Sequence, residues 1–447
     1  MSSRFIDRPR YTCALGGAVA TLQAMPRTIT IVHGSAGCGG NINMALNAGS
    51  GYLGGGYCGG SALPSTNVVE KDVVFGGEAR LREQIESTLE LVDGDLYVVV
   101  TGCMVDMIGD DTISVVSEFR DADKPVIAVP TPSFKGNAFY GYELLMKGLI
   151  DKFIQKSDKK ETLSVNVLGI VPGQDIFWKG NLREIKRILE RLGLKVNTFF
   201  GEGENLDNFR NAGTASLNII ASNNFGIESA KYFEEVHGIP YIATSLPIGA
   251  VASETFLKTV GNALKIDPAL VSKVIAEEKE IYYDYFSRIA DIYTDADLQR
   301  YAIVVGDSSY APALTRFLSD ELGWIPELVV VTDILDDNQQ KTVRAQFAGL
   351  NSGLEPHVYF DTDTSSVKKY FREAWPRNRN DRYYDPFSPA VVLGSSHERD
   401  FAQEFGFPLV PVSFPATGRS VMNRAYAGFS GGLTLTEDII TYLVQGR

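Results

Sequence analysis

Short runs of apolar, mostly β-branched residues recur along the chain and form its most regular pattern. Nine such runs end in Gly, Ser, Asp or Pro: TITIVHG, DLYVVVTG, KPVIAVP, SVNVLGIVPG, ASLNIIAS, YAIVVGD, ELVVVTD, HVYFDTD and PAVVLGS. Segments of helical period lie between most of them; in 78–91, Leu81, Ile85 and Leu89 share one face, and 181–192 has similar spacing. Uninterrupted apolar strands that alternate with helices indicate parallel sheets covered on both faces. The pattern therefore predicts an α/β fold of doubly wound, Rossmann-like units.

The length of the chain and two breaks in the pattern predict three domains. A chain of 447 residues is too long for one ordinary core. A polar run at 155–162 and a long helical stretch at 267–290 separate the strand-rich segments. We therefore expect a first Rossmann-like domain at 1–160, a middle one at 161–295 and a C-terminal one at 296–447, each with a mostly parallel sheet.

Composition narrows the classes of function. The chain is 44% hydrophobic and 22% charged and has a net charge of −13, which is typical of a globular protein and argues against nucleic acid or an anionic membrane as a partner. No apolar run approaches the roughly 20 residues that span a bilayer. The N-terminal residues lack the apolar core of a signal peptide. We expect a cytoplasmic protein without structural disulfides.

The cysteines are confined to one part of the sequence. All four lie in the first quarter, at Cys13, Cys38, Cys58 and Cys103. Cys38 and Cys103 follow predicted strands, Cys13 precedes the first strand, and Ser133 ends the third. Ligands of open α/β sheets gather beyond the carboxyl ends of the strands. One crevice is thus expected to collect three thiolates and a serine hydroxyl, with glycines that let a bulky inorganic ligand approach the backbone.

Two other interpretations of the thiols stay open at this point. Free cysteines are often inert and buried, so core packing is the simpler alternative. Structural zinc is disfavoured, because the sequence has no C-x-x-C pair.

Several segments resemble the beta-type (K-type) subunits of nitrogenase component 1. The opening YTCALGGAVATLQAMPRTITIVHGSAGC is followed in the same order by TGCMVDMIGDD and TPSFKGN. Further on, NVLGIVPGQDIFWKGNLREIKRILERLGLKV, SLPIGAVASETFLKTV and GFPLVPVSFPATGRSVMNRAYAGFSGGL continue the resemblance. It covers almost the whole chain, and its motifs agree in order and spacing.

The resemblance implies a set of site residues. Cys13, Cys38 and Cys103 match the three cysteines that beta-type subunits give to a P-cluster-type iron–sulfur cluster, [8Fe-7S] or [4Fe-4S], shared with an alpha-type (D-type) subunit. Ser133 matches a serine that ligates the oxidised cluster, although a turn or cap serine fits the T-P-S pattern equally well. Phe75 matches the docking face for the ATP-hydrolysing reductase; plain core packing is the alternative.

Cys58 stands apart from the other thiols. We interpret it as a buried structural thiol within the glycine-rich run NAGSGYLGGGYCGG. The G-x-G-x-x-G at Gly49, Gly51 and Gly54 follows a helix-like segment and not a strand, so a close-packed glycine loop is favoured over a dinucleotide site. The sequence has no G-x-x-x-x-G-K-[ST], so ATP is expected on the separate reductase alone.

Residues that hold the substrate-reducing cofactor in alpha-type subunits are not expected here. No cysteine follows Cys103. The four histidines, His33, His237, His357 and His397, are interpreted as ordinary loop or satisfied histidines. The resemblance thus implies an electron-relay subunit in an α2β2 heterotetramer, served by a homodimeric iron–sulfur reductase.

The motifs TCALGGA, GSAGCGG and FPATGRSVMNR depart from those of the true nitrogenases. They favour a reductase of the methylthio-alkane type, which cleaves carbon–sulfur bonds. Alternatives are a vanadium- or iron-only nitrogenase beta subunit and a cofactor-assembly scaffold. Protochlorophyllide reductase is less favoured, because its B-type subunit uses an aspartate as a cluster ligand. Outside this family, three Rossmann-like domains also suit a glycosyltransferase or a binding module.

Overall fold

The strands form three separate parallel sheets. The computed structural model describes residues 6–51, 63–295, 298–375 and 390–445. Within them the strand bounds are β1 (Thr28–His33), β2 (Leu96–Thr101), β3 (Val126–Val129), β4 (Ser164–Leu168), β5 (Lys195–Asn197), β6 (Leu217–Ile220), β7 (Tyr241–Ala243), β8 (Tyr301–Gly306), β9 (Ile325–Val331), β10 (His357–Phe360), β11 (Ala390–Gly394) and β12 (Leu409–Pro411). The sheet orders are β1-β2-β3, β5-β4-β6-β7 and β10-β9-β8-β11-β12. The predicted α/β fold with parallel sheets is confirmed.

Helices cover the sheets. In chain order they are α1 (Ala14–Gln23), α2 (Ala36–Gly49), α3 (Glu70–Phe75), α4 (Glu78–Leu91), α5 (Cys103–Ile108), α6 (Thr112–Ser117), α7 (Ala138–Lys152), α8 (Trp178–Glu190), α9 (Leu206–Arg210), α10 (Ile227–His237), α11 (Gly249–Leu264), α12 (Pro268–Phe286), α13 (Ile289–Asp295), α14 (Tyr310–Asp320), α15 (Asp337–Ala345), α16 (Val367–Ala374), α17 (Arg399–Phe405) and α18 (Gly428–Gln445). Among the described residues, none of these helices is both long and apolar enough to cross a bilayer.

The apolar periodicity explains how the helices pack. Helix α4 has the predicted bounds and buries Leu81 and Ile85, which pack with the first sheet. Helix α8 begins three residues before the predicted start, at Trp178, and buries Ile185 and Ile188. Burial of such side chains stabilises the fold by about 2 kcal/mol each.

The C-terminal helix packs mainly on helices of the middle segment, although it also contacts β12 of the third sheet. Helix α18 contacts α11, α12 and α8. The N–H of Gly428 donates to the carbonyl of Pro247 at 2.6 Å, and a Cβ on Gly432 would lie 2.6 Å from the Cα of Gly249. The end of the described chain thus completes the layer over the middle segment. We retain 1–160, 161–295 and 296–447 as proposed domain bounds.

Candidate functional site

The three described cysteines all lie at the starts of helices. Cys13 immediately precedes α1, Cys38 is in the first turn of α2, and Cys103 is the first residue of α5. Each is a free, half-buried thiol. The N-terminal ends of α1 and α2 present amide N–H groups and a partial positive charge, which suit an anionic ligand.

Glycine contacts bring the three cysteine turns to one edge of the first sheet. The N–H of Gly102 donates to the carbonyl of His33 at 2.8 Å. A Cβ on Gly102 would lie 3.5 Å from the Cα of Gly34 and 3.9 Å from Leu15 Cδ2. Gly34 leads to Cys38, Gly102 precedes Cys103, and Leu15 follows Cys13 in the sequence. The three turns are therefore neighbours.

Helix α7 fixes the position of the Cys13 turn. A Cβ on Gly17 would lie 1.9 Å from the carbonyl oxygen of Ala138, and one on Gly141 would lie 1.9 Å from that of Ala14. Cys13 also forms an isolated antiparallel bridge with Asn137. The two helices approach this closely because both contact positions lack a side chain. In the sequence, only the glycines at positions 17 and 141 indicate this close approach of the two helices. The spacing of apolar residues does not reveal it.

Ser133 lies beside Cys13. The turn after β3 is held to β2 by two hydrogen bonds, from the Thr131 N–H to Thr101 Oγ1 and from Thr131 Oγ1 to the Thr101 carbonyl, both 2.9 Å long. Ser133 and Cys13 line one cavity of about 540 Å³. Within the described part of the chain, the Ser133 hydroxyl makes no hydrogen bond. It is therefore available to a group in the cavity.

The thiols do not surround a single ion. In residues 6–51, 63–295, 298–375 and 390–445, no three His, Cys, Asp or Glu side chains lie close enough to hold one metal ion. The chemistry of three free thiols in neighbouring, glycine-lined turns fits a larger iron–sulfur group whose remaining ligands come from elsewhere.

Phe75 is not a core residue, so the core-packing alternative is wrong. Its side chain is 84% exposed at the end of α3, where Val74 is 73% exposed. Helix α3 contacts α5, on which Met107 is 77% exposed. Val74, Phe75 and Met107 form the α3–α5 surface, an apolar face beside the Cys103 turn. Exposed apolar side chains that lie together mark interaction sites.

A buried acidic pair, not predicted from the sequence, lies beside the cavity that contains Cys13 and Ser133. Asp307 follows β8 and Asp333 follows β9, at the carboxyl edge of the third sheet, and Asp333 lines the cavity that contains Cys13. Burial and then the neighbouring Asp307 raise the pKa of Asp333 to about 8. Asp333 Oδ2 accepts the Ser308 N–H at 2.7 Å, while Oδ1 has no hydrogen-bond partner among the described residues. Neither aspartate belongs to a motif that spacing alone would single out.

Of the histidines, His33 and His237 are buried. His237 Nε2 lies 3.0 Å from the carbonyl oxygen of Ile150. His33 lies between Thr66 Oγ1, at 3.1 Å, and Asp110 Oδ2, at 3.0 Å. Burial lowers the pKa of both rings. Cys58 and Gly54, by contrast, lie outside the described residues, and the interpretation of that loop stays a prediction.

Comparison with known proteins matches the sequence to one family. Residues 13–443 match the family described as nitrogenase component 1 type oxidoreductase. The chain is 25% identical to the nitrogenase molybdenum-iron protein beta chain of Methanococcus maripaludis, over 98% of this chain and 95% of the relative. A light-independent protochlorophyllide reductase subunit of Staurastrum punctulatum is 26% identical, over 82% of this chain and 71% of the relative.

A solved structure shows the same fold. The structure described as nitrogenase Cp1 at pH 6.5 superposes with a TM-score of 0.78 at 21% identity, over 100% of this chain and 94% of the other.

Proposed function

The chain belongs to the nitrogenase component 1 type oxidoreductases, and we propose that it is a beta-type subunit that holds an iron–sulfur cluster and relays electrons. The observation that carries the proposal is that the turns bearing three free cysteines are neighbours at one edge of the first sheet. Its overall similarity to nitrogenase beta chains supports the beta-type assignment.

Cys13, Cys38 and Cys103 are the proposed ligands. Each is only partly buried, so none is sealed inside the core. A P-cluster-type group, [8Fe-7S] or [4Fe-4S], would complete its ligand set with an alpha-type (D-type) subunit in an α2β2 heterotetramer. When bound, such a group supplies one-electron redox chemistry whose potential depends on nearby hydrogen bonds and solvent.

This chain's residues would shape the environment of the cluster. Ser35 Oγ lies 3.4 Å from Cys38 Sγ, so its hydroxyl can donate to that sulfur when Cys38 is bound to a cluster. Ser133 shares the cavity of Cys13, which supports the proposal that its hydroxyl becomes a further ligand after it loses its proton. Glycines at positions 34 and 102 let backbone amides approach without a side chain between them.

The α3–α5 surface is the proposed docking site for the ATP-hydrolysing reductase homodimer. Its exposed Phe75 gives an aromatic anchor of a type enriched in protein interfaces, and the exposed Val74 extends the apolar area. Because α3 and α5 are in contact, a protein docked on Phe75 lies close to the Cys103 turn. Electrons would enter here and leave through the partner subunit, which carries the substrate-reducing cofactor.

Two candidate reactions remain for the whole complex. The variant motifs around Cys13 and Cys38 favour reduction of carbon–sulfur bonds in small organic sulfur compounds, as in methylthio-alkane reductase. Similarity to nitrogenase beta chains over nearly the whole chain supports dinitrogen reduction as the second candidate. Assays of both substrate classes with one preparation discriminate between them.

The test is anaerobic co-purification with the alpha-type partner, followed by iron and sulfide analysis and EPR. We expect several irons per chain and a redox-dependent signal. Cys103→Ala should lose both, while the matched variant Cys58→Ser should keep its iron. An iron-free wild-type complex, or full iron content in Cys103→Ala, would refute the proposed function.

A further inference from the structure

One buried histidine links the segments that flank helix α3, directly before the helix and through Asp110 after it. His33, the last residue of β1, is fully buried. Its Nδ1 lies 3.1 Å from the hydroxyl of Thr66, which precedes α3 in the sequence. Its Nε2 lies 3.0 Å from Oδ2 of Asp110. Asp110 in turn accepts the N–H of Gly77, which follows α3, at 3.0 and 3.1 Å.

The anchor before α3 belongs to the Cys38 turn. The N–H of Gly34 donates to Thr66 Oγ1 at 3.0 Å, and the N–H of Val68 donates to the carbonyl of Gly34 at 3.0 Å. Gly34 is followed by Ser35, whose hydroxyl contacts Cys38 Sγ. A displacement of the start of α3 therefore acts on the backbone that carries Cys38.

The anchor after α3 belongs to the Cys103 helix. Asp110 directly follows Gly109, the left-handed residue that ends α5. Its own N–H donates to the carbonyl of Val105 at 3.2 Å. A Cβ on Gly77 would lie 2.7 Å from Asp110 Oδ2 and 3.1 Å from His33 Cε1. The joint between α3 and α4 is thus packed directly on both side chains.

We propose that His33 and Asp110 are positioning residues that couple occupancy of the α3–α5 surface to the geometry of the Cys38 and Cys103 turns. The inference rests on the proposed function and adds a regulatory role to the docking site. A partner that binds at Phe75 would displace a six-residue helix whose flanking segments are joined by the hydrogen-bonded pair His33 and Asp110. Helix α3 and the two cysteine turns should therefore shift together, because closely packed and hydrogen-bonded segments move as a unit.

The test compares variants in the complete complex with the alpha-type partner and the reductase. Asp110→Ala removes the bonds to His33 and Gly77. We expect its iron content and EPR signal at rest to match wild type, while electron transfer from the docked reductase slows about tenfold. Transfer from a small chemical reductant, which does not press on α3, should keep its wild-type rate.

Two further variants separate coupling from damage to the fold. Asp110→Asn keeps an acceptor for Gly77 and a polar partner for His33, so it should restore most of the rate. Glu118→Ala removes a carboxylate from an exposed ion pair with Arg82 of α4 and should change nothing. In the double variant Phe75→Ala/Asp110→Ala, the two effects should be less than additive, because both act through α3.

The possible outcomes distinguish this inference from the proposed function. A wild-type complex that lacks iron or takes no electrons from a reductase overturns the function itself. An active wild type with an equally fast, iron-replete Asp110→Ala overturns only the coupling. So does an Asp110→Ala complex that is slow with the small reductant as well, since that result locates the defect in the cluster.

Discussion

Gly17 lies so close to Ala138 that an added Cβ would come within 1.9 Å of the Ala138 carbonyl oxygen. This contact sets the distance between α1 and α7 and, with it, the place of Cys13. Gly17→Ala should lower the free energy of unfolding by about 3 kcal/mol. The added Cβ would clash with a backbone atom, which cannot move away as the end of a flexible side chain can.

Thermal or denaturant unfolding measures this effect. The matched control is Gly40→Ala in helix α2, where a Cβ meets no atom within 4 Å. It should be neutral or slightly stabilising, because alanine favours the helix over glycine. Equal stability of the two variants would contradict the close contact.

Phe75 should act as the main anchor for the reductase. Phe75→Ala is expected to weaken reductase binding by about 2 kcal/mol, because an exposed aromatic side chain buried on docking is a typical hot spot. Binding is measured by titration of the complex with the reductase. Leu91→Ala, which truncates a 78% exposed side chain at the far end of α4, should leave the affinity unchanged; equal losses in both variants would argue against this surface.

Ser133 should affect the oxidised cluster more than the resting one. Ser133→Ala is expected to keep full iron content but to raise the potential for cluster oxidation by roughly 60 mV, because the oxidised state loses an oxygen ligand. Redox titration followed by EPR measures the shift. An unchanged potential would show that Ser133 is only a turn residue. Ser117→Ala serves as the control.

Asp333 should make stability depend on pH. The pKa of Asp333 is raised to about 8 by burial, so between about pH 4 and pH 8 the folded state binds a proton that the unfolded state has lost. Its contribution to stability is therefore present at low pH and declines as pH rises toward 8.

Asp333→Asn removes this dependence and keeps an oxygen for the Ser308 N–H. At pH 8 the variant should be more stable than wild type by several kcal/mol, and the difference should shrink toward pH 5. Denaturant unfolding at the two pH values measures it. A constant difference would show that Asp333 is already ionised in the folded protein.

Sequence pattern predicted most of the scaffold. Each of the nine predicted apolar runs contains a strand, whereas β5, β7 and β12 were not predicted. Each of these three has only three residues and lies at a sheet edge. So short a segment has too few positions for apolar periodicity to emerge, and its pairing depends on a neighbouring strand.

Less of the candidate site could be predicted from the sequence. The order of the cysteine motifs identified the thiols, but exposure of Phe75 depends on tertiary packing that spacing does not contain. Asp333 is unusual because of its neighbour Asp307, which is distant in sequence. Asp110 is unusual because it bonds to His33 and Gly77, which are also distant in sequence. Buried polar networks of this kind are properties of the fold and not of a motif.

The packing of α18 on α11 has a consequence for biosynthesis. Pro247 and Gly249 meet their partners Gly428 and Gly432 only after the ribosome has made the intervening chain, which takes on the order of ten seconds or more. During that time the apolar face of α11 is uncovered. The nascent chain is therefore expected to need a chaperone for this interval, and a stalled or truncated translation product should aggregate through this face.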